Sequence, residues 1–181
     1  MRAVAGWLSC LLTLTEAVWC GEHAAGQAKD VPPAGIEGRV TVVLSVRRAT
    51  ETHPVGNLTV YLFKLEQSRP LQELQRKCRG ALAQPRLDAI GAYNTCQKCL
   101  AEAVELVPRL SYAATTRTSH EGLYRFDHVP PAQRYQVVAV RTEDEEHIVI
   151  VGLTPKLRPG QRVTLDLSEN EPWTDAIPGK D

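Results

Sequence analysis

The sequence predicts a mainly β fold, a seven-stranded antiparallel sandwich with an α-helical hairpin inserted in it. Three observations predict it. Short runs of alternating apolar and polar residues, bounded by Gly, Pro or Asn, recur in both halves of the chain, as half-buried strands require. Between them, from Arg69 to Leu110, the apolar spacing changes to three or four, the period of an amphipathic helix. The length, 181 residues, suits one domain with its own core and a removable segment, not two domains.

The elements follow in order. Residues 1–28 read as a signal peptide: Arg2 supplies the positive start, and Ala3–Trp19 is an apolar run around Leu8, Leu11, Leu12 and Leu14. Small residues at Ala24, Ala25, Gly26 and Ala28 place the cut between 20 and 28. Glu16 makes the run a poor membrane span, and no second long apolar run follows. The expectation is an exported protein, periplasmic or secreted, whose mature chain has no transmembrane span. A competing reading is a lipoprotein acylated at Cys20, against which stands the bulk of Trp19. Residues 29–37, with Pro32-Pro33, read as an extended linker, and order is expected from Gly38.

In the first strand Val40, Val42, Leu44 and Val46 alternate with Thr41, Val43, Ser45 and Arg47. Pro54 and Gly56 mark a turn in 52–57. The second strand, 57–63, puts Leu58, Val60 and Leu62 on one face and Thr59, Tyr61 and Phe63 on the other. The helical insert occupies 67–110. Its first stripe is Leu71, Leu74, Cys78 and Leu82, its second Leu87, Ile90, Tyr93, Cys96, Leu100, Ala103 and Val107. Pro70 and Pro85 suit first turns, Gly80 the end of the first helix, and Pro108 stops the second. Strands resume at 112–118, 123–128 and 135–142, and the acidic turn Glu143–Glu146 leads to 147–153. Pro159-Gly160 turns the chain into a last strand with Val163, Leu165 and Leu167 inward. Residues 169–181, with Pro172 and Pro178, are expected to be a flexible tail.

Thr118, Gly122, Tyr124 and Phe126 form the pattern Thr-x-x-x-Gly-x-Tyr-x-Phe, followed by Val129-Pro130-Pro131 and by Tyr135-x-Val137. With the closing turn at Pro159-Gly160, this resembles carboxypeptidase regulatory-like domains. The resemblance covers about 38–65 and 111–168 and leaves the insert outside. It implies a transthyretin-like (prealbumin-like) sandwich that serves as a binding, spacer or stabilising module without activity of its own; sugar-binding and cell-surface modules are among its relatives. Ser119 stands where the family has Asp, and Ala132-Gln133-Arg134 where it has Gly after the prolines. The second turn is therefore expected to take a different shape. A Lys–Asn isopeptide crosslink, found in similar surface domains, is not implied, because the strand 39–46 has no lysine.

Acidic and basic residues are equal, 21 each, so no basic field exists for nucleic acid or an anionic membrane. Arg39, Arg47, Arg48, Arg76 and Arg79 read as solvated surface. The sharpest local motif is Cys96-Gln97-Lys98-Cys99, which suits a redox pair, a disulfide or half of a metal site. Zinc would want four ligands, and Cys78 is the one obvious third, with no His in the insert. Haem attachment would need His where Leu100 stands, and a thioredoxin-type site would need the motif opening a helix. A structural bridge from Cys78 to Cys96 or to Cys99 leaves one thiol over, and the odd count also allows an intermolecular disulfide. If the hairpin turned near Gln84, Cys78 would face roughly residue 91, so a bridge needs a looser connection or a helix ending near Gly80.

Ser119-His120-Glu121 has the letters of a nucleophile triad, but neighbours on a turn point apart. Glu143–Glu146 with His147 offers oxygens for calcium without the spacing of a dedicated loop, and reads as a hairpin tip. Asn57-Leu58-Thr59 is a glycosylation sequon. Tyr61 and Phe63 either form a sugar-stacking platform or pack beneath the insert. The sequence thus points to a non-enzymatic exported binding or structural module with a protein partner and no cofactor. A carbohydrate-binding module is one alternative, thinly supplied at 6% aromatic residues. A thiol-redox or metal-binding protein working through Cys96 and Cys99 is the other.

Overall fold

The computed structural model describes residues 31–46, 49–85, 87–143, 146–169 and 173–175. The signal peptide, the Cys20 alternative, Arg47, Arg48 and most of the expected tail lie outside them, as does the tip of the acidic turn at 144–145. The elements in chain order are β1 (Ala34–Val46), β2 (Ala49–Pro54), β3 (Thr59–Lys64), α1 (Arg69–Leu82) and α2 (Ala89–Leu106), which runs on into a 3-10 turn (Val107–Arg109). Then come β4 (Ala114–Arg117), β5 (Leu123–Val129), β6 (Tyr135–Glu143), β7 (Glu146–Leu153), β8 (Arg162–Thr164) and β9 (Leu167–Ser168). The described residues therefore hold nine strands where the sequence suggested seven. None of their helices is long and apolar enough to cross a membrane.

One sheet is organised around β1, which pairs antiparallel with β5 over its first half and with β2 over its second. Val40 is the handover point: its amide donates to Gly122 and its carbonyl accepts from Val55. β8 and β9 pair with β1 in parallel, so the sheet is mixed and not purely antiparallel. The other sheet runs β4-β3-β6-β7, antiparallel throughout.

The β1 pairings also correct the linker expectation. Ala34 and Ile36 are buried, and the Gly35 amide and Glu37 carbonyl are satisfied by Gln161 and Leu165. The strand therefore begins at Ala34. The expected turn at 52–57 likewise starts late, because residues through Pro54 belong to β2.

The facing sides of the two sheets share one core: Ile36 and Val40 of β1, Tyr124 and Phe126 of β5, Val60 and Leu62 of β3, Val137 and Ala139 of β6, and Ile148 and Ile150 of β7. Residues alternating with these on β3, β6 and β7 point the other way and form a second core. Phe63, Val138, Val140, Val149 and Val151 meet Leu71, Leu74 and Cys78 of α1, and Cys99, Ala103 and Val104 of α2. β6 is thus apolar on both faces because it is covered on both. The result is three layers: sheet, sheet, helical hairpin.

The hairpin differs from expectation in detail. α1 opens with Pro70 in its first turn but continues through Gly80 to Leu82. α2 begins at Ala89, where the Asp88 carboxylate accepts from the Gly91 amide at 2.7 Å. Pro85 therefore lies ahead of the helix, not in its first turn. Pro108 sits inside the 3-10 turn that ends α2. The tail is not loose where it is described: Trp173 and Thr174 are buried, and Trp173 belongs to the second core. Arg79 donates to the Thr174 carbonyl and pairs with Asp175 at 2.6 Å, so it is not a solvated surface arginine.

Candidate binding site

The signature residues of the sequence serve the scaffold. Thr118 is buried; its hydroxyl donates to the Val55 carbonyl at 2.9 Å and accepts from the Leu58 amide at 3.0 Å. That ties the crossing from β4 to β5 onto the entry of β3. Gly122 has φ +74, and a Cβ there would lie 2.5 Å from the Val40 carbonyl oxygen. The Tyr124 hydroxyl donates to the Leu165 carbonyl, and its ring meets Phe126 edge-on at 6.0 Å. The Tyr135 hydroxyl donates to the Pro130 carbonyl at 2.8 Å and accepts from Gln133 at 2.6 Å, closing the turn at Pro130-Pro131. Gly160 has φ +69 in its own turn. Ala132 has φ +71, the left-handed backbone a glycine would take, so the turn keeps a glycine-like bend without the glycine.

In the hairpin, Cys78 and Cys99 form a disulfide with Cα atoms 6.0 Å apart, and Lys77 pairs with Glu102 at 3.0 Å. Cys96 stays free and half-buried, and burial pushes its thiol pKa up. A scarce thiolate is the opposite of what a reactive cysteine needs. No group of three or more His, Cys, Asp or Glu among the described residues is arranged to hold a metal ion.

The bridge is possible because the two helices are out of step. α1 extends only to Leu82 beyond Cys78, whereas α2 starts at Ala89, well before Cys99. At about 1.5 Å per residue, α2 overhangs α1 by roughly 9 Å. Ile90 and Tyr93, expected in the buried stripe, stand on that overhang and are 73% and 64% exposed. Of the expected stripe, Ala103 and Val107 are buried and Cys96 and Leu100 half-buried, while Cys99, which the stripe left out, is buried at the bridge.

Two concavities lie near β4. The larger, about 750 Å³, runs over β1 and β5 beside Arg39, Thr116, Ser119 and Asp166. Charges there are largely paired. Asp166 accepts from the Arg39 amide, Arg125 pairs with Asp127 at 2.9 Å, and Arg162 bridges Glu37 and Asp127. The two arginines hold the Asp127 carboxyl below its usual range. The Ser119 hydroxyl accepts from the Glu121 and Leu123 amides, both at 3.2 Å, which makes Ser119-His120-Glu121 a turn.

The smaller notch, about 450 Å³, lies where the outer face of β3 and β4 emerges from under α2. Asn57, Thr59, Tyr61, Arg117 and Arg141 line it, with Val104 and Pro108 on the helical side. Phe63 is fully buried beneath the insert, whereas Tyr61 is only half-buried. The Tyr61 ring stacks on Phe63 at 6.0 Å and meets Tyr112, itself 45% exposed, edge-on at 5.3 Å. Burial raises the Tyr61 phenol pKa and Tyr112 raises it further, while Arg117 pulls it down. Tyr112 and Arg117 were not singled out from the sequence. The place of Arg117 beside Tyr61 comes from the β3–β4 register, Tyr61 opposite Thr115 and Thr59 opposite Arg117, across the whole insert.

No family model matches the chain, and no curated protein matches it. Solved structures that match include two crystal structures of the shaft pilin SpaA from Lactobacillus rhamnosus GG, a singly and a doubly substituted mutant. They are 11% and 12% identical to this chain, cover 75% and 76% of it, and superpose with TM-scores of 0.32 and 0.31. This chain spans 50% of the length of each. Superposition at that level assigns no function.

Proposed function

We propose that the chain is an exported, non-enzymatic interaction module. In this reading a carboxypeptidase regulatory-like, transthyretin-like sandwich carries a helical hairpin that meets a protein partner. The observation that carries it is the exposure of Ile90 and Tyr93 on the overhanging turns of a helix fixed by the Cys78–Cys99 bridge. Large apolar side chains left open on a rigid support suit an interface, where tyrosine is a frequent anchor. The bridge fits an oxidising compartment, in line with the leader-like start of the sequence. The thiol-redox alternative loses support because Cys99 is already bridged and the Cys96 thiol is raised.

The test is retention of proteins from the exported fraction of the source on the immobilised chain, beside an Ile90→Ser/Tyr93→Ser variant. A protein held by the chain and released by the variant supports the proposal. Retention that ignores the two substitutions, or no retention at all, overturns it. The carbohydrate alternative keeps one specific observation in its favour, the tyrosine notch beside β4.

A further inference from the structure

We infer that the notch between β3–β4 and the end of α2 is a binding site for an acidic sugar unit of a polysaccharide. The site lies away from the exposed end of the hairpin and does not depend on the protein-partner proposal.

The apolar part of the site is preformed. Phe63 is locked in the second core, Tyr61 stacks on it, and Tyr112 abuts Tyr61 edge-on. Tyrosines held this way keep their orientation without a ligand, which lowers the entropy cost of binding. A half-exposed phenol ring offers an apolar face for the C–H side of a sugar ring and a hydroxyl at its rim. At about 450 Å³ the notch lies in the range of small-ligand sites, ~300–1,000 Å³.

The polar part selects the ligand. Asn57 and Thr59 bring an amide and a hydroxyl to the notch, and neither tyrosine hydroxyl has a hydrogen-bond partner among the described residues. Such a lining suits a hydroxyl-rich ligand better than an apolar peptide side chain, which would leave these groups unpaired.

Charge completes the argument. Among the described residues no carboxylate lines the notch; Arg117 lies between it and the larger groove, where Glu37 is paired with Arg162 and Asp166 accepts from the Arg39 amide. Arg117 has no ion-pair partner among the described residues, and its planar fork suits a carboxylate or a sulfate ester. Arg117 stands opposite Thr59 in the β3–β4 register and lines the notch together with Tyr61, which places its charge beside the ring. A sugar ring stacked on tyrosine with its acidic group on Arg117 uses both halves of the site.

The experiment is calorimetric titration of the full chain with uronate oligomers built from galacturonate, mannuronate or glucuronate. A neutral gluco-oligosaccharide of equal length, inorganic sulfate and an acidic peptide serve as comparators. At least one uronate oligomer is expected to bind, tenfold or more tighter than each comparator, and more weakly as salt is raised. Tyr112→Ala and Arg117→Gln, at exposed positions, are expected to weaken it tenfold or more each. Arg117→Lys, which keeps the charge and loses the fork, should fall between. Tyr93→Ala should change nothing, which separates failure of this site from failure of the hairpin proposal. The inference is overturned if no uronate oligomer binds or if any comparator binds as well as the uronates do. It also falls if Tyr112→Ala leaves binding intact.

Discussion

Gln75 of α1 and Gln136 of β6 meet side chain to side chain across the seam between helices and sheet, the Gln136 amide donating to the Gln75 carbonyl oxygen at 3.2 Å. Both residues are fully buried, and the Gln75 amide donates in turn to the Trp173 carbonyl. A polar chain thus crosses an otherwise apolar layer. Gln75→Leu deprives the Gln136 amide and the Trp173 carbonyl of a partner, and each such loss in a buried site costs about 1–3 kcal/mol. Urea unfolding should show a loss of about 2–4 kcal/mol. The double variant Gln75→Leu/Gln136→Leu should recover part of it, because the Gln136 amide that lost its bond to Gln75 is itself removed. A double variant as costly as the two single changes summed would mean the amides act independently.

The disulfide closes a loop with a sequence separation of 21 residues. Loop-closure entropy puts the stabilisation at about 3 kcal/mol. Cys78→Ala/Cys99→Ala should lose about that much in urea unfolding, and Cys96→Ala much less. Because burial raises the Cys96 thiol pKa, its alkylation near pH 8 should be slower than that of a free cysteine and should speed up as pH rises. Mass mapping of the Cys96 peptide reads this directly; alkylation as fast as the free amino acid would contradict it.

Two turn positions should respond in opposite directions. Ala132→Gly relieves a left-handed alanine, and after the extra freedom of glycine in the unfolded chain the gain should be about 0.5–1 kcal/mol. That is a rise in Tm of about 2–4 °C per kcal/mol for a chain of this size. Gly122→Ala meets the Val40 carbonyl oxygen and should lose at least about 2 kcal/mol.

Tyr124 gives a pH signature. Burial, and then the charge of Asp166, raises its phenol pKa well above the ordinary value. The folded chain therefore keeps a proton that the unfolded chain releases near pH 10. The associated stability is complete below that pH and declines as pH rises above it. Tyr124→Phe removes the bond to the Leu165 carbonyl and should cost about 1–2 kcal/mol at neutral pH. The gap between the two proteins should narrow above pH 10. A gap that stays constant would mean the hydroxyl contributes nothing through its proton.

Residue alternation made β3 legible: Val60 and Leu62 face one core, and Phe63 faces the other. The start of β1 was hidden because Gly35 and Gly38 interrupt the pattern and its β8 partner lies far along the chain. A parallel pairing leaves no local turn to read. The apolar stripe of α2 keeps its phase from Tyr93 to Val107, but Ile90, reached by steps of three, has drifted about 100° round the helix. Tyr93 is in phase yet stands beyond the end of α1, so both are exposed. The cysteine types announced a bridge, while the choice of Cys99 over Cys96 follows from the offset of the two helices. Of the notch, Asn57, Thr59 and Tyr61 were visible, as a sequon and one face of β3. Arg117 reaches it through a register set on the far side of the insert, and Tyr112, just ahead of β4, abuts the Tyr61 ring at its edge.

The parallel pairs of β1 also bear on the order of events in time. Gly35 pairs with Arg162 and Val40 with Leu167, so the central strand of its sheet joins the two ends of the described chain. Contacts at such separation are slow to form. A nascent chain stopped after Leu153 would contain β1 through β7, yet one flank of β1 would stand open, with Ile36 and Val40 beside it. Bare flanks of that kind recruit other chains. The last few strands, short as they are, therefore act as the lock that turns an adhesive intermediate into a self-contained molecule.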